Sequence, residues 1–220
     1  MVDGMEDPAD LCRPFLSSLP VSGASITVIT ASGSQSSVCS SDAVAARIDE
    51  LQFELGEGPQ WSTARSGELL EIPDVQHGPH SDWPILGAAL TELPVGAIFS
   101  VPMRMGAVTV GVATLYSDLP TVLTRDQLTT ALAIASAVAG AAVSRAMVAA
   151  NQDTATESAT TPALRREVHQ ATGMMLVQLN TTATIAYSRL QAYAFANGQS
   201  VQAVARRVVS GALTFEDTPM

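Results

Sequence analysis

The chain has 220 residues, of which 47% are hydrophobic and 15% are charged, and its formal net charge at pH 7 is −10. This composition allows one large or two small packed domains and excludes a globally disordered chain. No export signal is visible at the N-terminus, so we expect a cytoplasmic protein. Its two cysteines, Cys12 and Cys39, are then expected to be reduced, and a disulfide between them is the alternative.

The first half of the chain alternates between helix-like and strand-like patterns. In chain order these patterns predict a helix at 7–19, strands at 25–31 and 37–41, a helix at 43–55, a turn and short helix at 56–65, a strand at 68–72, a loop at 76–81, a helix at 83–93, and strands at 97–104 and 108–116. This order predicts an α+β fold around an antiparallel sheet.

A long alanine-rich helix is predicted to follow these strands and to reach about Ala150. Thr124 to Gln127 fit a capping box at its start. Its apolar residues recur at spacings of four and three: Leu128, Leu132, Ala135, Ala139, Ala142, Ala146 and Ala149. Residues 127–144 carry no charge, but their Gln, Thr and Ser content favours a helix of the folded domain over a membrane span.

A resemblance to a known family rests on one central stretch of this first part. The run Leu-Gln-Phe-Glu-Leu-Gly-Glu-Gly-Pro-Gln at 51–60, then Gly67-Glu68 and Ile72-Pro73-Asp74, resembles the GAF domains that precede ANTAR modules in bacterial regulators. The likeness covers most of residues 10–150. It implies a small-molecule sensor, because members of that family bind cyclic nucleotides, haem, flavin or other ligands. It does not indicate which ligand this chain takes.

A ligand pocket in such a domain would lie between the sheet and the helices and loops after Gly56. Four aromatic side chains are candidates to line it: Phe53, Trp61, Trp83 and Phe99. The alternative is that all four are core aromatics needed for packing.

The last part of the chain predicts three short helices within residues 162–215, after a polar linker at 151–161. Their apolar stripes are Leu164, Val168, Ala171, Met175 and Leu179; then Ala183, Ala186, Tyr187, Leu190 and Ala194; then Val201, Val204, Ala205, Val208 and Val209. Residues 162–215 hold five arginines and one acid, whereas residues 1–150 hold six arginines and sixteen acids. This asymmetry suggests that the C-terminal module binds a polyanion, although five arginines can also serve solubility alone.

Residues 162–215 resemble an ANTAR domain, a bacterial three-helix module that binds RNA and regulates transcription antitermination. The resemblance rests on Gln-Ala-Thr-Gly-Met-Met, Ala-Tyr-Ser-Arg-Leu, Ala-Phe-Ala-Asn-Gly-Gln-Ser-Val and Val-Ala-Arg-Arg-Val-Val, and matches the pattern at Ala171, Gly173, Met174, Ala186, Leu190, Ala194, Val204, Ala205 and Val209. Thr172 and Gln191 depart from it, since many members carry Lys and Arg there.

If this module binds RNA hairpin loops, its candidate contacts are cations, amides and small side chains. These candidates are Arg165, Arg166, Gln170, Thr172, Gly173, Arg189, Gln199, Ser200, Arg206 and Arg207. The alternatives are a three-helix dimerisation bundle and, for Ala171 and Gly173, close helix packing.

Catalysis and metal binding are not expected. His77 and His80 lie in a loop without a third ligand nearby. Glu54 and Glu57 are two acids without a nucleophile and base beside them, and no phosphate-binding or dinucleotide-binding motif occurs.

The sequence therefore predicts four segments: a GAF-like sensor at 1–150, a linker or helix kink at 151–161, an ANTAR-like module at 162–215 and an acidic tail at 216–220. The predicted function is that of a cytoplasmic RNA-binding antitermination regulator, homodimeric through the GAF-like domain and long helix, with no membrane segment. Its ligand stays unknown. The rivals are a DNA-binding helix-turn-helix regulator, and a ligand or redox sensor scaffold that binds no nucleic acid.

Overall fold

A computed structural model describes residues 11–29, 35–78, 82–152, 160–197, 199 and 201–215. The chain divides into two compact units, residues 1–154 and residues 155–220. Several predictions fall outside the described residues: the start of the first helix, most of the linker, the acidic tail, His80 and Ser200.

The first unit has the predicted α+β fold. In chain order its elements are α1 (Arg13–Ser18), β1 (Gly23–Ile29), β2 (Gln35–Ser40), α2 (Ala43–Leu55), α3 (Pro59–Ser66), β3 (Leu70–Ile72), α4 (Pro84–Leu90), β4 (Ala97–Met105), β5 (Val108–Ser117) and α5 (Arg125–Gln152). The bounds of α2 agree with the prediction. Helix α4 is shorter than predicted: it ends at Leu90, ahead of Pro94, and the residue before a proline disfavours the helical conformation.

The five strands form one antiparallel sheet in the order β2-β1-β5-β4-β3. The first strand of the chain therefore pairs with the last, and Gly23 lies opposite Tyr116. This long-range pairing places β5 at the centre of the sheet, between β1 and β4.

Strand alternation gives the sheet two different faces. On one face, Ile26, Phe99 and Leu115 belong to the apolar core that includes α1 and α5. On the other, Ile98 and Tyr116 pack with α2 and α4. The remaining part of this second face is polar, and it carries the first candidate site.

The helix ends follow from local side-chain chemistry. The Asp42 carboxylate accepts hydrogen bonds from the backbone N–H groups of Val44 and Ala45, which caps α2. At the start of α5, the Thr124 N–H donates to Gln127 Oε1 at 2.8 Å and the Gln127 N–H donates to Thr124 Oγ1 at 3.3 Å. The predicted capping box is therefore confirmed.

Helix α5 covers the apolar face of the sheet with small residues. Its fully buried side chains are Ala131, Ala135, Ala139 and Ala142. The prediction placed Leu132 in this stripe, which is wrong, because Leu132 is 39% exposed and the smaller Ala131 faces the sheet. Among the described residues, α5 is the one helix that is long and apolar enough to cross a membrane by length and composition.

Cys12 and Cys39 form a disulfide, with their Cα atoms 6.3 Å apart. The expectation of two reduced thiols is therefore wrong for this structure. The two residues are 27 positions apart in the sequence, and both side chains are buried in the core beneath α5. The bond ties the start of α1 to β2.

The second unit contains three helices, α6 (Thr160–Gln178), α7 (Ala183–Ala196) and α8 (Val201–Val209). Its buried side chains include most of the predicted stripes: Val168, Ala171, Met175, Ala186, Leu190, Ala194, Val201, Val204, Ala205 and Val208. Tyr193 and Phe215 complete the packing with an edge-to-face ring contact at 5.3 Å between centroids.

Candidate functional site

The turn between α2 and α3 sets the position of the first site. Gly56 and Gly58 both adopt positive φ angles, 65° and 125°. A Cβ atom at Gly58 would lie 2.6 Å from a Leu86 methyl carbon and 2.8 Å from Gln52 Oε1, so only glycine fits there. The turn brings the first residues of α3 over the polar face of the sheet.

Nine polar side chains are buried between this face and helices α2 and α3, and we call them the polar layer. They are Ser25, Thr27, Gln35, Asp49, Gln52, Gln60, Thr63, Ser100 and Thr114. The strand register places Thr114 opposite both Ser25 and Ser100, so the three hydroxyls share one face.

Asp49 is the one acid in the polar layer. Its carboxylate accepts hydrogen bonds from the Thr27 hydroxyl at 2.7 Å and from the Ser37 hydroxyl at 2.8 Å. These bonds join α2 to β1 and β2. The two hydroxyl donors stabilise the buried carboxylate on the side of the layer nearest those strands.

Two glutamines connect α2 to α3 and to the sheet. Gln52 Oε1 accepts from the backbone N–H of Gln60 at 2.8 Å. The Gln60 side chain lies 3.4 Å from Gln35 Oε1 and 3.4 Å from the Thr114 hydroxyl. Bonds of this length are at the weak end of the range, so the amide of Gln60 is held loosely between two partners.

Some buried atoms of the polar layer have no hydrogen-bond partner among the described residues. They include the Gln52 Nε2 amide nitrogen and the Ser100 Oγ hydroxyl, and both of these side chains are fully buried. A buried donor without a partner costs about 1–3 kcal/mol, so native proteins rarely leave one. The layer is therefore equipped to hydrogen-bond a small polar molecule.

The four predicted pocket aromatics do not come together around this layer. Phe99 faces the α5 side of the sheet, on the opposite face from Ser100. Phe53 is buried on α2, Trp61 donates its indole N–H to the Gln52 carbonyl at 2.7 Å, and Trp83 packs with α4. Only Trp61 contacts the polar layer directly in the bonds described, through a backbone atom of Gln52.

Tyr116 borders this region at the N-terminus of α2. Its hydroxyl lies 3.1 Å from Asp42, and burial together with the negative charge of Asp42 raises the pKa of Tyr116. The tyrosine therefore stays a neutral donor to the capping carboxylate.

Glu54, Glu57 and His77, which the sequence singled out, have structural partners. Glu57 accepts from the Leu86 N–H at 2.8 Å, and Glu54 lies 3.6 Å from Arg47. His77 lies 3.3 Å from the carboxylate of Asp74. Within the described residues, no three His, Cys, Asp or Glu side chains are grouped to hold a metal ion.

The second candidate site is the outer surface of the three-helix unit. Arg206 on α8 pairs with Glu167 on α6 at 3.3 Å, and Arg207 donates to Gln199 Oε1 at 3.0 Å. Arg189 is exposed on α7. Arg207 is therefore bound to a neutral amide rather than to an acid, which leaves its charge uncompensated by this contact.

The small residues of α6 separate into buried and exposed positions. Ala171 is fully buried, and Thr172 is 8% exposed with its hydroxyl donating to the Val168 carbonyl. Thr172 thus lies inside the bundle and does not belong to its exposed surface. Gln170 and Gly173 are exposed, and a Cβ at Gly173 would meet no atom within 4 Å.

The remaining RNA-binding candidates differ in what the structure describes. Gln199 is exposed, and its backbone N–H donates to the Ala194 carbonyl at 2.9 Å. The backbone of Arg165 and Arg166 belongs to α6, but their side chains lie outside the described part, as does Ser200.

The sequence reasoning missed the polar layer entirely. Gln52 and Gln60 resemble solvent-facing residues in sequence, since glutamine seldom occupies a protein interior. A signal was present in α2, where Ile48 and Leu51 are separated by one turn and Asp49 and Gln52 lie beside them on the same side of the helix.

Comparison with known proteins identifies a family for the first unit. Residues 7–142 match the family model described as GAF domain. No curated protein matches the chain.

Solved structures that are similar to this chain include a domain of a protein assigned as a two-component sensor histidine kinase from Sinorhizobium meliloti 1021. It is 16% identical, with a TM-score of 0.50, over 70% of this chain and 100% of that one. A GAF domain/HD domain protein from Geobacter sulfurreducens is 14% identical, with a TM-score of 0.47, over 63% and 90%. A type II free methionine-R-sulfoxide reductase from Thermoplasma acidophilum is 13% identical, with a TM-score of 0.40, over 57% and 81%.

Proposed function

The chain belongs to the GAF domain family, whose domain is a ligand-sensing scaffold, and from this premise we propose that it is a ligand-controlled RNA-binding regulator of transcription antitermination. The GAF domain senses a small molecule, and the three-helix unit acts as an ANTAR-like module that binds hairpin loops in nascent RNA. Such a protein acts in the cytoplasm and catalyses no reaction.

The polar layer supports the sensing half of this proposal. It offers amide and hydroxyl groups with one buried carboxylate, and none of its members is cationic. Such a set suits a small neutral or cationic molecule with several hydrogen-bonding groups, and it suits a phosphate-rich nucleotide poorly. Gln52 Nε2 and Ser100 Oγ are the groups that a ligand would satisfy.

The surface of the second unit supports the RNA-binding half of this proposal. The single acid Glu167 is bound to Arg206, Arg207 is partly exposed and hydrogen-bonded to the neutral amide of Gln199, and Arg189 is exposed on α7. Phosphate contacts of this kind dominate affinity for nucleic acid. The exposed glycine at 173 adds a place where a ribose or base can approach the helix backbone.

A helix-turn-helix that reads duplex DNA is a poorer fit. Recognition helices read bases with the residues of their N-terminal turn. In α8 that turn begins with Val201 and Gln202, both buried, whereas the cations Arg206 and Arg207 lie in the last turn. The surface therefore favours phosphate and loop contacts over groove reading.

We propose that the regulator is a homodimer through the GAF domain and α5. The outer side of α5 exposes Leu132, Met147 and Val148, which a second copy of the helix would cover. Ligand binding in the polar layer would then change how α5 packs, and so alter the RNA-binding unit.

A redox sensor is the second candidate function, and the Cys12–Cys39 disulfide favours it. A persistent disulfide is unusual in a reducing cytoplasm, where such a bond is more often a sensor. RNA affinity measured with the disulfide oxidised and reduced separates the two roles: a change on reduction supports redox control, and equal affinity leaves the ligand as the signal.

The test of the proposed function is a competition experiment with full-length protein. A labelled two-hairpin RNA is bound and then challenged with unlabelled hairpin RNA or with duplex DNA of the same length. The proposal predicts that hairpin RNA displaces the label and duplex DNA does not at equal concentration. Displacement by DNA alone would favour the helix-turn-helix function, and the absence of any binding would leave a sensor scaffold.

A further inference from the structure

Phe195 is the one aromatic side chain among the described residues that is mostly exposed, at 75%. It lies near the end of α7, next to the buried Ala194. Leaving a phenylalanine in water forfeits the stabilisation that its burial would give, so an exposed one marks a contact surface when its neighbours are also suited to binding.

The turn between α7 and α8 ties two polar residues to the end of α7, next to Phe195 in the sequence. The Gln199 N–H donates to the Ala194 carbonyl at 2.9 Å, which folds the chain back onto the end of α7. Arg207 of α8 then donates to Gln199 Oε1 at 3.0 Å. The backbone of Gln199 is thus held at the end of α7, beside the residue that precedes Phe195, and the Gln199 side chain is joined to Arg207 at this corner of the bundle.

This corner does not have the composition of a protein-docking patch. The next large exposed apolar residue on α7, Ile185, is ten positions away, which is about 15 Å along a helix, and the exposed apolar side chains beside the ring are only the small ones of Ala192 and Ala196. Ser188 and Arg189 lie between the two on the exposed side. The ring is therefore the one large apolar group exposed on this stretch of α7, and the chemistry around it suits an occupant that combines a flat apolar face with negative charge.

We propose that Phe195, Gln199 and Arg207 form a recognition corner for one unstacked base of an RNA loop. The ring of Phe195 stacks on the base, Gln199 bonds the base edge or the ribose, and Arg207 contacts the adjoining phosphate. Paired RNA presents no free base face, so the corner selects loops over stems. This inference rests on the proposed RNA-binding function and identifies the part of the RNA that is bound.

The test uses full-length protein and a pool of two-hairpin RNAs with randomised loops. Three variants separate stacking from apolar contact: Phe195→Ala removes the ring, Phe195→Leu keeps an apolar side chain, and Phe195→Trp keeps a stacking face. Ile185→Ala, on the same helix, is the matched control for loss of an exposed apolar side chain.

The corner predicts a 5- to 150-fold loss of affinity for Phe195→Ala, roughly the effect of losing one stacked base. Phe195→Leu should lose a similar amount, while Phe195→Trp and Ile185→Ala should bind like the wild type. The salt dependence of binding should be unchanged in Phe195→Ala, because no charge is removed, and shallower in Arg207→Ala.

Two results would overturn the inference while leaving the proposed function intact. One is wild-type affinity in Phe195→Ala, and the other is wild-type affinity in Phe195→Leu, which would make the contact apolar rather than stacked. If the wild-type protein fails to bind the RNA pool, the proposed function fails, and the inference fails with it. Because Phe195 is exposed, an unchanged circular dichroism spectrum is expected for all four variants and confirms their folding.

Discussion

Replacing Gly173 by alanine should stabilise the three-helix unit and weaken RNA binding at the same time. Gly173 lies inside α6, five residues before its last residue, and an added Cβ meets no atom within 4 Å. Glycine in a helix interior costs about 0.5–1 kcal/mol relative to alanine. Since the new methyl group is neither buried nor crowded, the free energy of unfolding should rise by about that amount.

The two units can be followed separately during urea unfolding. Both tryptophans, Trp61 and Trp83, belong to the first unit, so tryptophan fluorescence reports on it, while far-ultraviolet circular dichroism reports on the helices of both. A unit of this size has an m-value of about 1 kcal/mol/M, so the midpoint of the second unit should rise by about 0.5–1 M urea. The fluorescence transition should stay in place.

Gly140 in α5 provides a matched control, because it is also a helix-interior glycine with no atom within 4 Å of an added Cβ. Gly140→Ala should raise the fluorescence midpoint and leave RNA affinity unchanged. Destabilisation by Gly173→Ala would refute the reasoning, since it would mean that the space beside Gly173 is filled. Unchanged RNA affinity in Gly173→Ala would remove Gly173 from the proposed interface.

Three further predictions concern the first unit. Reduction of the Cys12–Cys39 disulfide should lower its free energy of unfolding by about 3–4 kcal/mol, the entropic effect expected for a loop of this length, and denaturation with and without reductant measures it. Ser100→Ala should raise the free energy of unfolding by about 1 kcal/mol, because it removes a buried hydroxyl without a partner; a loss above 1 kcal/mol would show that the hydroxyl is bonded. Stability should fall as pH rises above about 10, since the raised pKa of Tyr116 keeps it protonated in the folded state while the unfolded state releases its proton; a pH titration of unfolding should lose that part of the slope in Tyr116→Phe.

Much of the fold could be predicted because its local signals are strong. Asp42 caps the start of α2 and Gly56 ends it, and both residues are recognisable as such signals in the sequence. The Thr124 capping box likewise marks the start of α5. The β-branched residues around Ile26 and Val28 mark a strand. These signals act between neighbouring residues, so they can be recognised without knowing the rest of the structure.

The strand order could not be predicted, because it depends on contacts between distant parts of the chain. Pairing of β1 with β5 joins residues more than eighty positions apart, and no local pattern records it. The same pairing decides which side chains of each strand point to which face of the sheet. Phe99 and Ser100 are neighbours in sequence, yet they point to opposite sides of the sheet, so the aromatic that was predicted to line a pocket lies in the apolar core and the serine belongs to the polar layer.

Buried polar residues were the second source of error, because sequence patterns treat polarity as a sign of exposure. Gln52, Gln60 and Thr172 are all buried. The folded chain joins Gln52 to Gln60 by a hydrogen bond, and the Thr172 hydroxyl is bonded within α6 to the Val168 carbonyl. The reverse error occurred at Leu132, where a large apolar residue is partly exposed beside a buried alanine. A helix position that packs against a sheet is restricted in side-chain size as well as in polarity.

The most direct test of the account is the salt dependence of RNA binding by the full-length protein. A two-hairpin RNA is titrated at two salt concentrations with the wild type, with Arg206→Ala/Arg207→Ala and with Glu167→Gln. Arg65→Ala, the loss of an exposed arginine from the first unit, is the matched control.

The account predicts weaker binding by the double variant, with a salt slope reduced by about 1.4 for two lost phosphate contacts. Glu167→Gln should bind more tightly than the wild type, because it releases Arg206 from its ion pair, and Arg65→Ala should not differ. Binding by the double variant equal to that of the wild type, with an unchanged salt slope, would contradict the claim that this arginine surface is the RNA interface.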